Sequence, residues 1–138
     1  MNGFALHPQL DADTHRVGDL DFTRVLLMDD ARFPWLILVP RVPDLRELTD
    51  LSIDDQHRLL VDINRVAHVL HAMAKPYKLN IAMLGNVVPQ LHVHVIARFT
   101  TDEAWPKPVW GVGARVAYDA DALSERIDAL RAVLQPIA

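Results

Sequence analysis

The sequence predicts an α+β fold in which a mostly antiparallel sheet carries one long helix and a shorter C-terminal helix. Three observations predict it. Short aliphatic and β-branched runs occur in two neighbouring pairs, a long segment between the pairs repeats its apolar residues at three- and four-residue spacing, and a second such segment closes the chain. The first pair is Thr23-Arg24-Val25-Leu26-Leu27-Met28 and Trp35-Leu36-Ile37-Leu38-Val39. Residues 29–34 between them carry charges and a proline, which suits the turn of a β-hairpin.

Ser52 with Asp55 three residues on marks a helix start. Leu59, Ile63, Val66, Ala67, Leu70 and Met73 then share one face, and Pro76 ends the helix, which is expected over 52–75. Residues 78–84 read as a strand, Gly85 and Asn86 as a tight turn, and residues 91–99 as a second strand with two-residue alternation. A second hairpin is therefore expected. Trp105-Pro106-Lys107-Pro108-Val109-Trp110-Gly111 holds too much proline for regular structure and is expected as an ordered surface loop. Asp119 or Asp121 caps a last helix with Leu123, Ile127, Leu130 and Leu134 on one face, ending before Pro136.

The 138 residues suffice for one domain with a real core, and no repeat or glycine- and serine-rich linker divides them, so a single domain over 1–138 is expected. Hydrophobic residues at 51% and charged residues at 23% exclude a disordered chain. With 14 Lys+Arg against 18 Asp+Glu the net charge is -4, which leaves no broad basic surface for a nucleic-acid polymer or an anionic membrane. Any bound phosphate has to be held by local geometry. The absence of cysteine removes disulfides, thiolate catalysis and cysteine zinc sites, and is compatible with a reducing cytoplasm. Neither a basic leader nor an apolar run of membrane-spanning length is visible, so a soluble protein is expected.

Pro89-Gln90-Leu91-His92-Val93-His94-Val95-Ile96-Ala97-Arg98 is the most informative stretch. On a strand, Leu91, Val93 and Val95 share the core face, while Gln90, His92 and His94 line up on the other at ~7 Å steps. The row has three readings. The histidines form the solvated face of an edge strand, or they are two ligands of a metal whose remaining ligands no nearby residue supplies. In the third reading an imidazole, neutral or protonated near pH 7, serves as nucleophile or general acid on a phosphoryl group.

Gln90-Leu91-His92-Val93-His94-Val95-Ile96 resembles the signature of the histidine triad (HIT) superfamily, His-φ-His-φ-His-φ-φ with φ apolar, with glutamine at the first histidine. Asn80, Gly85-Asn86 and Val88-Pro89 precede it much as that family's asparagine and Gly-Gln turn do, and Arg98 stands at a position often basic. Asp29-Asp30 before Leu36-Ile37-Leu38-Val39-Pro40-Arg41 is similar to the family's acidic residue and apolar strand. Val42-Pro43 depart from the usual Pro-x-x-His. The likeness covers about residues 20–100, with 101–138 as an extension, and implies a HIT-like fold.

The resemblance implies a nucleotide hydrolase or nucleotidyl transferase that acts on the α-phosphate of a dinucleoside polyphosphate or nucleoside phosphoramidate. His92 is then the nucleophile of a covalent nucleotidyl-histidine intermediate, and His94 hydrogen-bonds the phosphate or protonates the leaving group. Gln90 cannot shuttle protons, but its amide can donate to a phosphate oxygen or orient water. Gly85, Asn86 and Asn80 are expected to contact the phosphate, and Asp29 or Asp30 the ribose. Local readings stand beside these: Asn86 tolerates positive φ in a turn, and Asp29 and Asp30 are ordinary turn formers. Trp105 and Trp110 either meet the nucleotide or pin the loop to the core. His57, His68 and His71 read as surface or interface residues of the long helix, and His7 and His15 carry no reading. The resemblance calls for no cofactor and no metal. A purine nucleotide partner and a homodimer are expected, the latter because a sheet buried on one side leaves a face for a partner. The alternatives are a nucleotide-binding module with little turnover and a metal-binding protein.

Overall fold

The structure is a computed structural model that describes residues 3–135. Helix α1 (Pro8–Asp13) leads into β1 (Thr14–Asp19), then β2 (Thr23–Met28) and β3 (Trp35–Pro40). A 3-10 turn at Leu48–Asp50 precedes α2 (Ile53–Ala74), after which come β4 (Lys78–Ala82), β5 (Val93–Arg98) and α3 (Ala120–Leu134). The strands form one sheet in the order β1-β2-β3-β5-β4, antiparallel at every pairing. Among the described residues no helix is long and apolar enough to cross a membrane.

Helix α2 begins where its capping chemistry predicts, with the Ser52 side chain accepting from the Asp55 amide at 3.1 Å. It ends at Lys75, in the left-handed region at φ 49°, just before Pro76. Leu59, Ile63, Val66 and Leu70 bury the predicted stripe against Val25, Leu27, Leu36, Leu38, Val93 and Val95, and Ile127, Leu130 and Leu134 of α3 complete the layer. Asp62, buried on the same helix, accepts from the Phe22 and Thr23 amides and the Thr23 hydroxyl at 3.1, 3.0 and 2.8 Å. Those three bonds fix where α2 crosses β2. Asp119 caps α3, and Pro136 lies outside the described residues.

The structure differs from the sequence expectations in four places. Residues 8–19 form α1 and the edge strand β1, a strand that no hydrophobic pattern marks because its aliphatic content is a single Val17. The second hairpin has no tight turn at Gly85 and Asn86: its strands stop at Ala82 and resume at Val93, and residues 83–92 form a long connection. Gly85 at φ 71° diverts the chain, Pro89 has no amide to donate, and the Leu91 amide bonds the Leu45 carbonyl at 2.9 Å instead of a β4 partner. Asn86 has no positive φ.

The sheet is also not buried on one side. Leu26, Ile37, Val39, Trp35 and Ile96 on the face away from α2 are covered by Leu10, Val88, Ala104 and Val109. This cover is largely the irregular segment after β5, held by Arg98. Its guanidinium, 1% exposed, donates to Asp102 at 2.8 and 3.1 Å, to the Asn80 side-chain oxygen at 2.8 Å and to the Lys107 carbonyl at 2.7 Å. Asp102 in turn accepts from the Phe99, Ala104 and Trp105 amides. Removing one member of a buried ion pair strands the other, so Asp102→Ala is expected to cost ~3–5 kcal/mol in urea unfolding, and Asp102→Asn, which keeps an acceptor, less.

Candidate active site

The break in pairing before Val93 sets the two histidines in different surroundings. His94 lies in the ladder opposite Ile37 of β3. His92 lies just outside it, and the imidazoles meet with ring centroids 4.8 Å apart, both buried. At His92 the Nδ1 nitrogen is 2.6 Å from the Gln90 carbonyl oxygen. A carbonyl only accepts, so Nδ1 carries the proton and Nε2 keeps the lone pair. At His94 the assignment reverses: Trp35 donates its indole N–H to Nδ1 at 3.0 Å, which leaves the proton of the neutral ring on Nε2. One imidazole thus offers a lone pair and its neighbour offers a donor.

Burial holds both rings neutral. It lowers His92 below the ordinary histidine value against the raising effect of the Gln90 carbonyl, with a smaller push down from His7. Burial, and then the neighbouring His92, push His94 down to about 3.

The histidines line a cavity of about 390 Å³, within the ~300–1,000 Å³ usual for small-molecule sites. Gly85, Asn86 and Val88 form one wall, Gln9, Leu10 and Asp13 of α1 a second, and Met28 and Trp110 the rest. None of the amides of residues 85–88 makes a hydrogen bond among the described residues. The loop therefore offers free N–H groups beside two imidazoles. Trp110 packs edge-on to Trp35 and His94 at 5.7 and 5.0 Å, so it both pins its loop and walls the cavity. Trp105 lies elsewhere, against Tyr77 and under Arg98.

The structure brings together His92, His94, Gly85 and Asn86 of the sequence-predicted residues. The rest sit around them. Gln90 does not face this cavity: its side-chain oxygen accepts from the His7 amide at 2.8 Å and its nitrogen donates to the Ala5 carbonyl at 2.9 Å. Asn80 is engaged with Arg98. Asp29 accepts from the Tyr118 amide at 3.0 Å and pairs with His15 at 3.2 Å. Asp30 grips Arg32 at 2.8 and 3.0 Å, and although burial works to raise its carboxyl, Arg32 and the backbone amides hold it below the ordinary value. Asp30 does border an adjoining hollow that shares Asp13, Met28 and Trp110 with the histidine cavity.

Sequence reasoning missed Trp35 as the partner of His94, and missed Asp13 and the α1 wall. A signal for α1 was present in Pro8, a favoured first helical residue, behind His7, whose Nδ1 accepts from the Gln9 amide. Among the described residues no group of three His, Asp or Glu side chains is placed to hold a metal ion.

A five-stranded antiparallel sheet backed by one long helix, with paired histidines at the start of an inner strand, defines the fold class and site. The sequence matches the HIT domain over residues 9–101, and the chain belongs to the HIT family, whose members are generally nucleotide-binding hydrolases or transferases. It is similar to a crystallised histidine triad protein from Bradyrhizobium japonicum, with 50% identity, a TM-score of 0.92 and coverage of 95% of this chain and 98% of that one. A histidine triad protein from Marinobacter aquaeolei VT8 gives 41% identity and 0.93, covering 98% of each chain. One from Sinorhizobium meliloti 1021 gives 39% and 0.92, covering 96% and 98%. A search of curated proteins found no match.

Neutral buried histidines tie stability to pH. Unfolded His94 takes a proton below about 6.5, and folded His94 only near 3. The unfolded state therefore binds more protons across that window, and stability falls as pH falls through it, by up to ~1.4 kcal/mol per unit for one group. His94→Asn is expected to lose stability less steeply than wild type between pH 6.5 and 4.5 in urea titrations. Equal slopes would show that His94 is not held neutral.

Proposed function

We propose that the chain is a nucleotide hydrolase or nucleotidyl transferase that works through a nucleotidyl-His92 intermediate. The observation that carries this reading is the fixed tautomer of His92, whose Nδ1–H is held by the Gln90 carbonyl so that Nε2 is the free nucleophile. Nε2 attacks the α-phosphorus, an N–P bond forms, and the bond to the leaving group breaks with its electron pair. Water or another acceptor then displaces His92 from phosphorus.

His94, neutral and protonated on Nε2, serves as a hydrogen-bond donor to a phosphate oxygen rather than as a proton source. The free amides of residues 85–88, with the Asn86 side chain, hold the remaining oxygens without net charge. The base lies among Leu10, Met28, Val88 and Trp110, and the ribose hydroxyls meet the Asp13 and Asp30 side of the cavity. Gln90 contributes from outside it. Its carbonyl orients His92, and its side-chain amide, bound to the backbone on either side of Leu6, holds the segment leading to the α1 wall. Asn80 and Asp29 act by anchoring the segments around the site. The proposed steps call on no metal, and a cytoplasmic location is part of the same proposal.

The edge strand β4, with exposed Ile81 followed by exposed Met83 and Leu84, suits a two-fold dimer, for which sedimentation should give twice the chain mass. The nucleotide-binding module remains the second reading, because the Gln90 amide, fully engaged with backbone, replaces a proton-carrying histidine.

Calorimetry should show binding of AMP or GMP that survives His92→Asn, while that substitution lowers hydrolysis by several orders of magnitude. His94→Asn should cost ~100- to 1,000-fold, the range for one lost transition-state donor. Rapid acid-free quenching with labelled substrate should trap an acid-labile adduct on the His92 peptide. Binding without any adduct or turnover selects the binding module. Because neutral His92 is the nucleophile and its pKa is lowered, the midpoint of the acid limb of kcat/KM should lie below pH 6.5. An acid limb at or above 6.5 contradicts the assignment.

A further inference from the structure

The histidine cavity has a neighbour on the other side of His92. The connection after β3 turns at Asp44, a non-glycine residue in the left-handed region at φ 56°, and its Leu45 carbonyl accepts from the Leu91 amide at 2.9 Å. That bond sets the next residue of each segment, Arg46 and His92, along a common cleft of about 140 Å³. The cleft shares Leu84, Gly85 and His92 with the larger cavity, so these three residues form a rim between two compartments. Only the larger compartment, with its apolar and aromatic walls, is of a size for a nucleoside.

Arg46 is exposed, and its guanidinium makes no hydrogen bond or ion pair among the described residues. Glu47 lines the same cleft, but its carboxylate accepts from the Asp50 amide. Proton supply points the same way. His94 is neutral with Nδ1 occupied by Trp35, and both ends of the Gln90 amide are bound to backbone, so neither hands a proton to a departing atom. A leaving group that departs as a stable anion needs none.

We propose that Arg46 is the specificity-determining residue on the leaving-group side, binding the phosphate oxygens of a phosphoanhydride leaving group and favouring it over an uncharged amine. The proposal rests on the covalent reading above. As the His92 Nε2–P bond forms and the anhydride P–O bond breaks, the electron pair stays on the departing oxygen and the guanidinium meets the developing charge. In the second step water forms the new O–P bond, the N–P bond breaks, His92 recovers its lone pair, and the water's proton passes to solvent.

The test compares three substrates: a nucleoside triphosphate, a dinucleoside triphosphate, and a nucleoside phosphoramidate of a neutral amine. Arg46→Gln should lower kcat/KM ~10- to 100-fold for both anhydrides, the range expected of one lost charge-assisted contact, and leave the phosphoramidate within about twofold. Arg46→Lys should restore part of the loss, and AMP affinity should not change in either variant. A loss shared equally by all three substrates overturns the proposal, as does a loss confined to the dinucleoside, which would place the contact on the second nucleoside. Failure of the underlying reading looks different, because His92→Asn would then remain active. Independently of turnover, inorganic pyrophosphate titrated into the AMP complex should bind wild type more tightly than Arg46→Gln, and equal binding overturns the subsite.

Discussion

The buried Arg98 guanidinium is the constraint on which the arrangement of this molecule depends. Strand β5 is an inner strand, and its two faces are covered by different means. On one face α2 satisfies its own backbone and presents an apolar stripe. On the other the chain between β5 and α3 is irregular, and an irregular cover carries amide and carbonyl groups that need partners. Arg98 and Asp102 supply them by binding the Lys107 carbonyl and the Phe99, Ala104 and Trp105 amides. Asp30 and Arg32 do the same further along, where Arg32 reaches the Val112 carbonyl and Glu103. Trp110, carried by that cover, is therefore a fixed wall against His94.

The two histidines show how a break in regular structure creates chemical difference. Were the β5 ladder continuous through residue 92, the row would be uniform. Because pairing starts at Val93, the Gln90 carbonyl is free to accept a hydrogen bond from the His92 Nδ1–H, while His94 stays in register opposite Ile37 and beneath Trp35. The same excursion lets the Gln90 side chain act as a surrogate peptide group, accepting from one backbone amide and donating to a carbonyl two residues away. An imidazole presents no such donor and acceptor side by side, which gives the glutamine at this position a physical role of its own.

A net charge of -4 is compatible with the proposed phosphate ligand because the contacts would be local. The free amides of residues 85–88 act over a few ångströms, and the guanidinium of Arg46, without a hydrogen bond or ion pair among the described residues, lies along the cleft that adjoins them. Exposed acidic residues elsewhere are screened within about 8–10 Å at ordinary ionic strength, so they do not cancel such contacts.

The sequence by itself determined the long helix with its caps, the strands of both pairs and the last helix, because each rests on periodicity or capping chemistry within a few residues, and it placed His92 and His94 on one face of a strand. Asp13, Trp35 and Arg46 carry no such local mark. Trp35 is linked to His94 across 59 positions, and the Gln90 side chain to the His7 amide across 83. Asp29 and Asp30 looked alike in sequence, yet only the docking of the segment at 112–118 decided that Asp29 would hold Tyr118 while Asp30 bordered a hollow beside the site. Only tertiary structure decided these roles, since which nitrogen of a histidine carries its proton and which acid meets a cavity depend on neighbours that the chain brings together after its local elements have formed.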